Sequence, residues 1–344
     1  MPDPVLDTIH FFPSQLRESW KAVSELETAI DFSKILNVVI CGMGGSALGG
    51  RIVHSLGAES LHVPVEVVSG YHVPFYVGEQ TLVVLSSYSG GTEETISAFH
   101  EAYEKRGQLI VITTGGLLSD LAAEHQIPTY HIDPQFNPSN QPRLALGYAV
   151  GSLLSLFSRA GFTSISAAQF EEAIKKAESY AVEFDAEMPT ESNEAKKMAA
   201  SLGVEIPILV ASEHLLGSVH AFKNQLNETA KTFSALFELP ELNHHLLEGL
   251  QFPHDLANDI QFVFFESELY SDRVKKRYAI TKEVLKKQRI DSLVYKVRSL
   301  DKLSQVLEVL TFGSFVQYYL ALKNNVKMME IPWVDYFKTE MGKE

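Results

Sequence analysis

The hydrophobic run from Ile35 to Ile40 leads straight into Cys41-Gly42-Met43-Gly44-Gly45-Ser46-Ala47-Leu48-Gly49-Gly50, and an apolar-periodic stretch follows. That order reads as a strand, a glycine turn and a helix start. Glycine lets a backbone approach a ligand closely and take positive φ where the turn needs it. The helix start then offers free N–H groups and the positive end of a dipole, which suit an anion such as phosphate. A second turn, Ser86-Ser87-Tyr88-Ser89-Gly90-Gly91-Thr92, follows the run Leu82 to Leu85 and opens another helix with hydroxyls in place of most of the glycines. A third, Thr113-Thr114-Gly115-Gly116, follows Leu109 to Ile112.

Strand-like runs recur at 35–41, 65–68, 81–86, 108–113 and 127–131, with helical stretches between them. This alternation predicts a parallel sheet covered on both faces. Residues 6–32 read as a helical lead-in, 144–157 as a buried helix, and 164–203 as a charged, alanine-rich helical connector. A second alternation begins at Ile206, with strands at 260–265 and 293–297 and a helix over 303–322. The expected fold class is α/β, with two αβα sandwich domains each built on a parallel sheet flanked by helices. Their limits are 1–160 and 204–344, with 161–203 between them.

At 344 residues, the chain is long for one core and comfortable for two domains. A net charge of −14 with no basic stripe argues against a nucleic-acid partner. An anionic substrate stays open, because a pocket can be locally positive. The single cysteine, Cys41, excludes an intrachain disulfide and a cysteine metal cluster and is compatible with a reducing cytoplasm. The start, Met1-Pro2-Asp3-Pro4, carries no basic and apolar leader pattern, and no run approaches the roughly 18 apolar residues of a membrane span.

The glycine turn has rival readings. Gly42-x-Gly44-x-x-Ala47 nominally fits a dinucleotide fingerprint, which wants an acidic residue at the end of the next strand. The next run, Val65-Glu66-Val67-Val68, holds its one carboxylate inside the strand instead. A phosphate-binding P-loop fails because Gly49 is followed by Gly50-Arg51 rather than Lys-Ser or Lys-Thr. The misplaced carboxylate favours a smaller phosphate ligand over a dinucleotide, although Ser46 could serve only as an N-cap and Ser87, Ser89 and Thr92 only as turn and capping hydroxyls.

The three turns in this order resemble a sugar isomerase (SIS) domain. Three later segments narrow the likeness: Gln141-Pro142-Arg143-Leu144-Ala145-Leu146-Gly147-Tyr148, Lys223-Asn224-Gln225-Leu226-Asn227-Glu228-Thr229-Ala230-Lys231 and Pro240-Glu241-Leu242-Asn243-His244-His245. Together they resemble the bifunctional phosphoglucose/phosphomannose isomerase family, over about 32–338. The resemblance implies two SIS-type domains and an aldose–ketose isomerase of hexose 6-phosphates, needing neither metal nor cofactor. It also implies a cytoplasmic homodimer with shared active sites. No nucleic acid or membrane partner is expected.

The site residues follow by resemblance. Gly45, Ser46, Ser87, Ser89 and Thr92 would bind the substrate phosphate. Arg143 would stabilise a negative enediolate, a task suited to a guanidinium that stays charged and presents several donors. A cation at a helix start opposes the dipole, so a plain structural motive for it is weak. Glu228 would be the base that moves a proton between C2 and C1. His244, supplied by the neighbouring subunit, would open the sugar ring, and Lys338 would reach the ring oxygen. His245 receives no role. A metal reading of the histidine pair lacks a third ligand at a recognisable spacing. The segment 131–141 is longer than the loop the family leads one to expect. Two other readings remain: a non-catalytic sugar-phosphate-binding regulator on the same fold, and an isomerase of the glucosamine 6-phosphate type.

Overall fold

The structure is a computed structural model, and it describes residues 3–57 and 60–342. The alternation seen in the sequence builds two all-parallel sheets. The first holds β1 (Asn37–Cys41), β2 (Val65–Val68), β3 (Thr81–Ser87), β4 (Gln108–Thr113) and β5 (Thr129–His131) in the order β2-β1-β3-β4-β5. The second holds β6 (Ile206–Ala211), β7 (Ala235–Glu238), β8 (Ile260–Glu266) and β9 (Ser292–Lys296) in the order β7-β6-β8-β9. The fold class is the expected α/β, with helices flanking two parallel sheets. The strand β7 was not expected.

Period-two alternation divides the first sheet between two cores. Val38, Ile40, Leu82, Val84, Ile110 and Ile112 enter a core that runs on into the second half of the chain. Val39, Cys41, Val83, Leu85, Leu109 and Val111 meet Ala98, Phe99, Ala102, Leu118 and Ala122 on the other face. These last five come from the helices Glu93–Glu104 and Gly116–Glu124. Burial raises the Cys41 thiol to about 12, so it is a packing group rather than a nucleophile.

The helix Leu146–Arg159 is apolar nearly all round and buried from Leu146 to Phe157, as its composition predicts. The helix Lys302–Lys323 is likewise buried along most of its length. The halves meet where the helix Gly44–Gly57 lies beside the helix Leu216–Glu228, and the Gly217 N–H donates to Ser55 Oγ at 3.0 Å.

The two sheets repeat one local plan. Residues 88–92 join β3 to the helix at Glu93, and residues 267–271 join β8 to the helix Asp272–Lys287, so both links are five residues long. Their ends are finished differently. Thr92 makes no side-chain capping bond. At the second link, the Glu213 carboxylate accepts from the Ser271 N–H at 3.2 Å and from Ser271 Oγ at 2.9 Å.

Candidate active site

All three turns of the first sheet lie at the carboxyl ends of its strands, where open α/β sheets bind ligands. They are tied into one surface. Ser46 Oγ accepts from the Tyr88 N–H at 3.0 Å, and Thr114 Oγ1 donates to the Tyr88 carbonyl at 2.6 Å. Ser87 Oγ lies 2.8 Å from Thr92 Oγ1 and accepts from the Gly90 N–H at 3.1 Å. Gly90 has φ +67°, and a Cβ there would sit 1.7 Å from the Gly115 carbonyl oxygen, so only glycine lets the second and third turns close on each other. Ser89 is exposed. Because Thr92 turns its hydroxyl to Ser87 instead of capping the helix, the capping explanation of that residue fails. A hollow of about 620 Å³ lined by Leu36, Tyr76, Glu79 and Arg106 opens at the opposite, amino ends of β1 and β3.

The glycine turn also seats the arginine. A Cβ on Gly45 would lie 2.9 Å from the Pro142 carbonyl oxygen and 3.3 Å from the Arg143 nitrogen. Arg143 lies in the short 3-10 helix Pro142–Leu144 and is 2% exposed. Its Nε donates to Thr229 Oγ1 at 3.1 Å, Nη1 to Gln141 Oε1 at 2.7 Å, and Nη2 to the Met328 carbonyl at 2.7 Å. Arg143 therefore has the structural motive that its place in the sequence did not suggest. It joins the first half, the end of the Glu228 helix and the C-terminal segment. Burial lowers its pKa and the nearby Glu228 raises it. A guanidinium stays charged under both influences.

Glu228 is the last residue of its helix, and its Oε2 lies 3.8 Å from Arg143 Nη1. A third of its side chain, 34%, remains exposed. Burial pushes its pKa above the ordinary carboxylate value, while Arg143, Lys231, Lys338 and Lys223 hold it down. The Lys231 ammonium donates to the backbone carbonyls of Glu228 and Glu330, pinning the helix end to the C-terminal segment.

Lys338 is exposed on the helix Pro332–Met341, and its charge acts on Glu228. His244 stands exposed in the four-residue helix Leu242–His245 beyond β7. No hydrogen bond, ion pair or ring contact among the described residues joins its side chain to Arg143, Glu228 or the turns. The His245 ring faces Phe237, at 6.0 Å between centroids.

Gln141 and Thr229 lie within the Pro-Arg and Asn-Glu motifs without a signature of their own, and both bind Arg143. The overlong segment 131–141 is where Asn137 and Gln141 build the support beneath that arginine. Asn137 Nδ2 donates to the Gln141 carbonyl at 3.2 Å and to the Tyr88 hydroxyl at 2.9 Å.

Residues 191–341 match the bacterial phospho-glucose isomerase C-terminal SIS domain. The chain is 29% identical to the bifunctional phosphoglucose/phosphomannose isomerase of Caldicellulosiruptor bescii, over 98% of this chain and 99% of that one. It resembles the phosphoglucose/phosphomannose isomerase family along nearly its whole length. A further member, from Thermoplasma acidophilum, is 29% identical over 89% of this chain and 90% of its own. The D-glucosamine-6-phosphate 4-epimerase of Sulfolobus acidocaldarius is 26% identical over 68% of this chain and 72% of its own.

The SIS fold of this family is shared more widely. Tagatose-6-phosphate ketose/aldose isomerase from Escherichia coli superposes with a TM-score of 0.70 at 14% identity, over 96% of this chain and 97% of that one. The C-terminal domain of glucosamine-fructose-6-phosphate aminotransferase from Francisella tularensis gives 0.68 at 15% identity, over 95% and 98%. Within the described residues, no group of three or more His, Cys, Asp or Glu side chains is placed to hold a metal ion. No described helix is long and apolar enough to cross a membrane.

Proposed function

We propose that this sugar-phosphate isomerase interconverts glucose 6-phosphate, and also mannose 6-phosphate, with fructose 6-phosphate through a cis-enediolate. The observation that carries the reading is the Arg143–Glu228 pair beside the glycine turn: a buried, fully oriented cation next to a half-open carboxylate of raised pKa. Isomerisation needs one base to take a proton from one carbon and return it to its neighbour, and a fixed cation for the charge that develops. The phosphate would rest on Gly45, Ser46, Ser87, Ser89 and Thr92, at the open helix start. Glu228 would carry the proton and Arg143 would stabilise the enediolate. The two aldoses differ only at C2, and the enediolate erases that difference.

Ring opening falls to His244, with Lys338 at the ring oxygen. His244 would come from the neighbouring subunit of a homodimer. The C-terminal helix supports such a dimer: it buries no residue in the single chain and leaves Trp333 82% and Phe337 62% exposed. A helix of this length has little stability of its own in water. The same reading divides the chain into an N-terminal SIS domain over 1–160, a connector over 161–203 and a C-terminal SIS-like domain over 204–344.

The test is a coupled assay on glucose 6-phosphate and mannose 6-phosphate, each with and without chelator, with glucosamine 6-phosphate run in parallel. Formation of fructose 6-phosphate from both aldoses, unchanged by chelation, is the expected result. Turnover of the amino sugar alone would transfer the site to 4-epimerase chemistry. Binding without turnover would make the protein a sensor.

A further inference from the structure

Arginine beside glutamate tends to close into a two-bonded pair, because the guanidinium fork matches a carboxylate. Such a pair would be poor at moving protons, since it lowers the pKa of the carboxylate and occupies its lone pairs. Here the pair stays open at 3.8 Å, and the reason is visible. Nη1, the nitrogen nearest Glu228, gives one of its two N–H groups to Gln141 Oε1 at 2.7 Å, and that bond fixes where the nitrogen lies. Thr229 and the Met328 carbonyl hold Nε and Nη2.

Gln141 is itself firmly set. Its Nε2 donates to the Ser139 carbonyl at 3.3 Å, which leaves its oxygen toward the arginine. Reversing the amide would place its NH₂ against the guanidinium and its oxygen against a carbonyl. The backbone carbonyl of Gln141 is bound by Asn137, which is 3% exposed and has its Oδ1 taken by Ser139 Oγ at 2.7 Å. Asn137 also donates to the hydroxyl of Tyr88, between Ser87 and Ser89, so the support rests on the phosphate turn.

We infer that Gln141 is a positioning residue that competes with Glu228 for Arg143 and so keeps the carboxylate free to act as a base. The inference rests on the isomerase reading for its catalytic consequence, though not for its geometry. The charged groups acting on Glu228 are Arg143 from the first half, Lys223 and Lys231 from its own helix and the residues just beyond, and Lys338 from the C-terminal helix. Of these, only Arg143 is bonded to Gln141.

The experiment compares Gln141→Met, which keeps length and loses the acceptor, with Gln141→Glu, which keeps an oxygen for Nη1. Crystal structures and pH–rate profiles are read for both. In Gln141→Met, Nη1 should close on Glu228 to hydrogen-bond distance, about 3 Å. The acid limb of kcat/KM should move down by about half a pH unit. kcat should fall on the order of 10-fold with KM within about twofold, as for a small misplacement of a reacting group. Gln141→Glu should keep the wild-type separation.

A Gln141→Met protein with the guanidinium in place and an unmoved acid limb would overturn the inference. So would closure of the pair in Gln141→Glu, which serves alone if the methionine variant does not fold. A wild-type protein inactive on all hexose phosphates would end the isomerase reading, and the crystallographic comparison would still decide the role of Gln141.

Discussion

Arg143 Nη1 and Glu228 Oε2 face each other at 3.8 Å across the junction of the two halves, one group 2% exposed and the other 34% exposed. The cation is immobile and the anion is accessible. That asymmetry fits the proposed roles: the anchored group can stabilise charge, and the partly exposed group can exchange a proton.

Glu228→Gln keeps the shape and removes the proton acceptor. kcat on both aldose phosphates should drop by about 100-fold or more, the contribution of a positioned general base. A sugar phosphate should still bind, because the turns proposed to hold its phosphate are untouched. Near-normal turnover in a steady-state assay would remove Glu228 from the mechanism.

The pH profile should show where Glu228 titrates. Burial raises its pKa, so the base-competent carboxylate forms only above the ordinary range, and the acid limb of kcat/KM should lie above about 4.3. Lys231 is one of the charges holding that value down. Lys231→Met removes a favourable neighbour of the ionised form, so the limb should move further up. A limb that stays put, or moves down, would contradict this placement of the two groups.

Gly90→Ala should cost about 3 kcal/mol or more of stability, since it combines positive φ with a Cβ placed 1.7 Å from a backbone oxygen. Gly91→Ala is the control: a Cβ there meets nothing within 4 Å, and its cost should stay within about 1 kcal/mol. Denaturant melts of both variants provide the measurement.

The proposed dimer with shared sites predicts complementation between inactive subunits. Glu228→Gln and His244→Ala damage different parts of a composite site. A heterodimer of the two has one site with both lesions and one with neither. Mixed, refolded heterodimers should recover up to about half of wild-type activity, because the two sites of such a dimer are related by symmetry. No recovery in proven heterodimers would place each histidine in its own subunit's site.

The parts of the site legible in the sequence were those whose chemistry is local. Gly44 and Gly45 follow a strand and open a helix, and Ser87, Ser89 and Thr92 crowd hydroxyls into one turn. β7 escaped notice because its four residues, Ala235–Glu238, sit half-buried at the sheet edge and show no alternation. Gln141 was invisible as a support because its task depends on Arg143 folding back onto Thr229 and Met328, far away in the chain. The Met328 acceptor is a backbone carbonyl, which has no signature in any sequence.

Glu213 gives the two halves different relations to solution. Its carboxylate is covalently part of the chain and meets Ser271 whatever the surroundings hold. In the proposed function, the turn at 87–92 takes its anion from the substrate. With a sugar phosphate bound there, the native state gains about 2.7 kcal/mol at one hundred times the dissociation constant, and nothing when the metabolite is scarce. On that reading, resistance to unfolding would track the supply of substrate through one half of the molecule, while the other half carries its counter-charge as a permanent fitting.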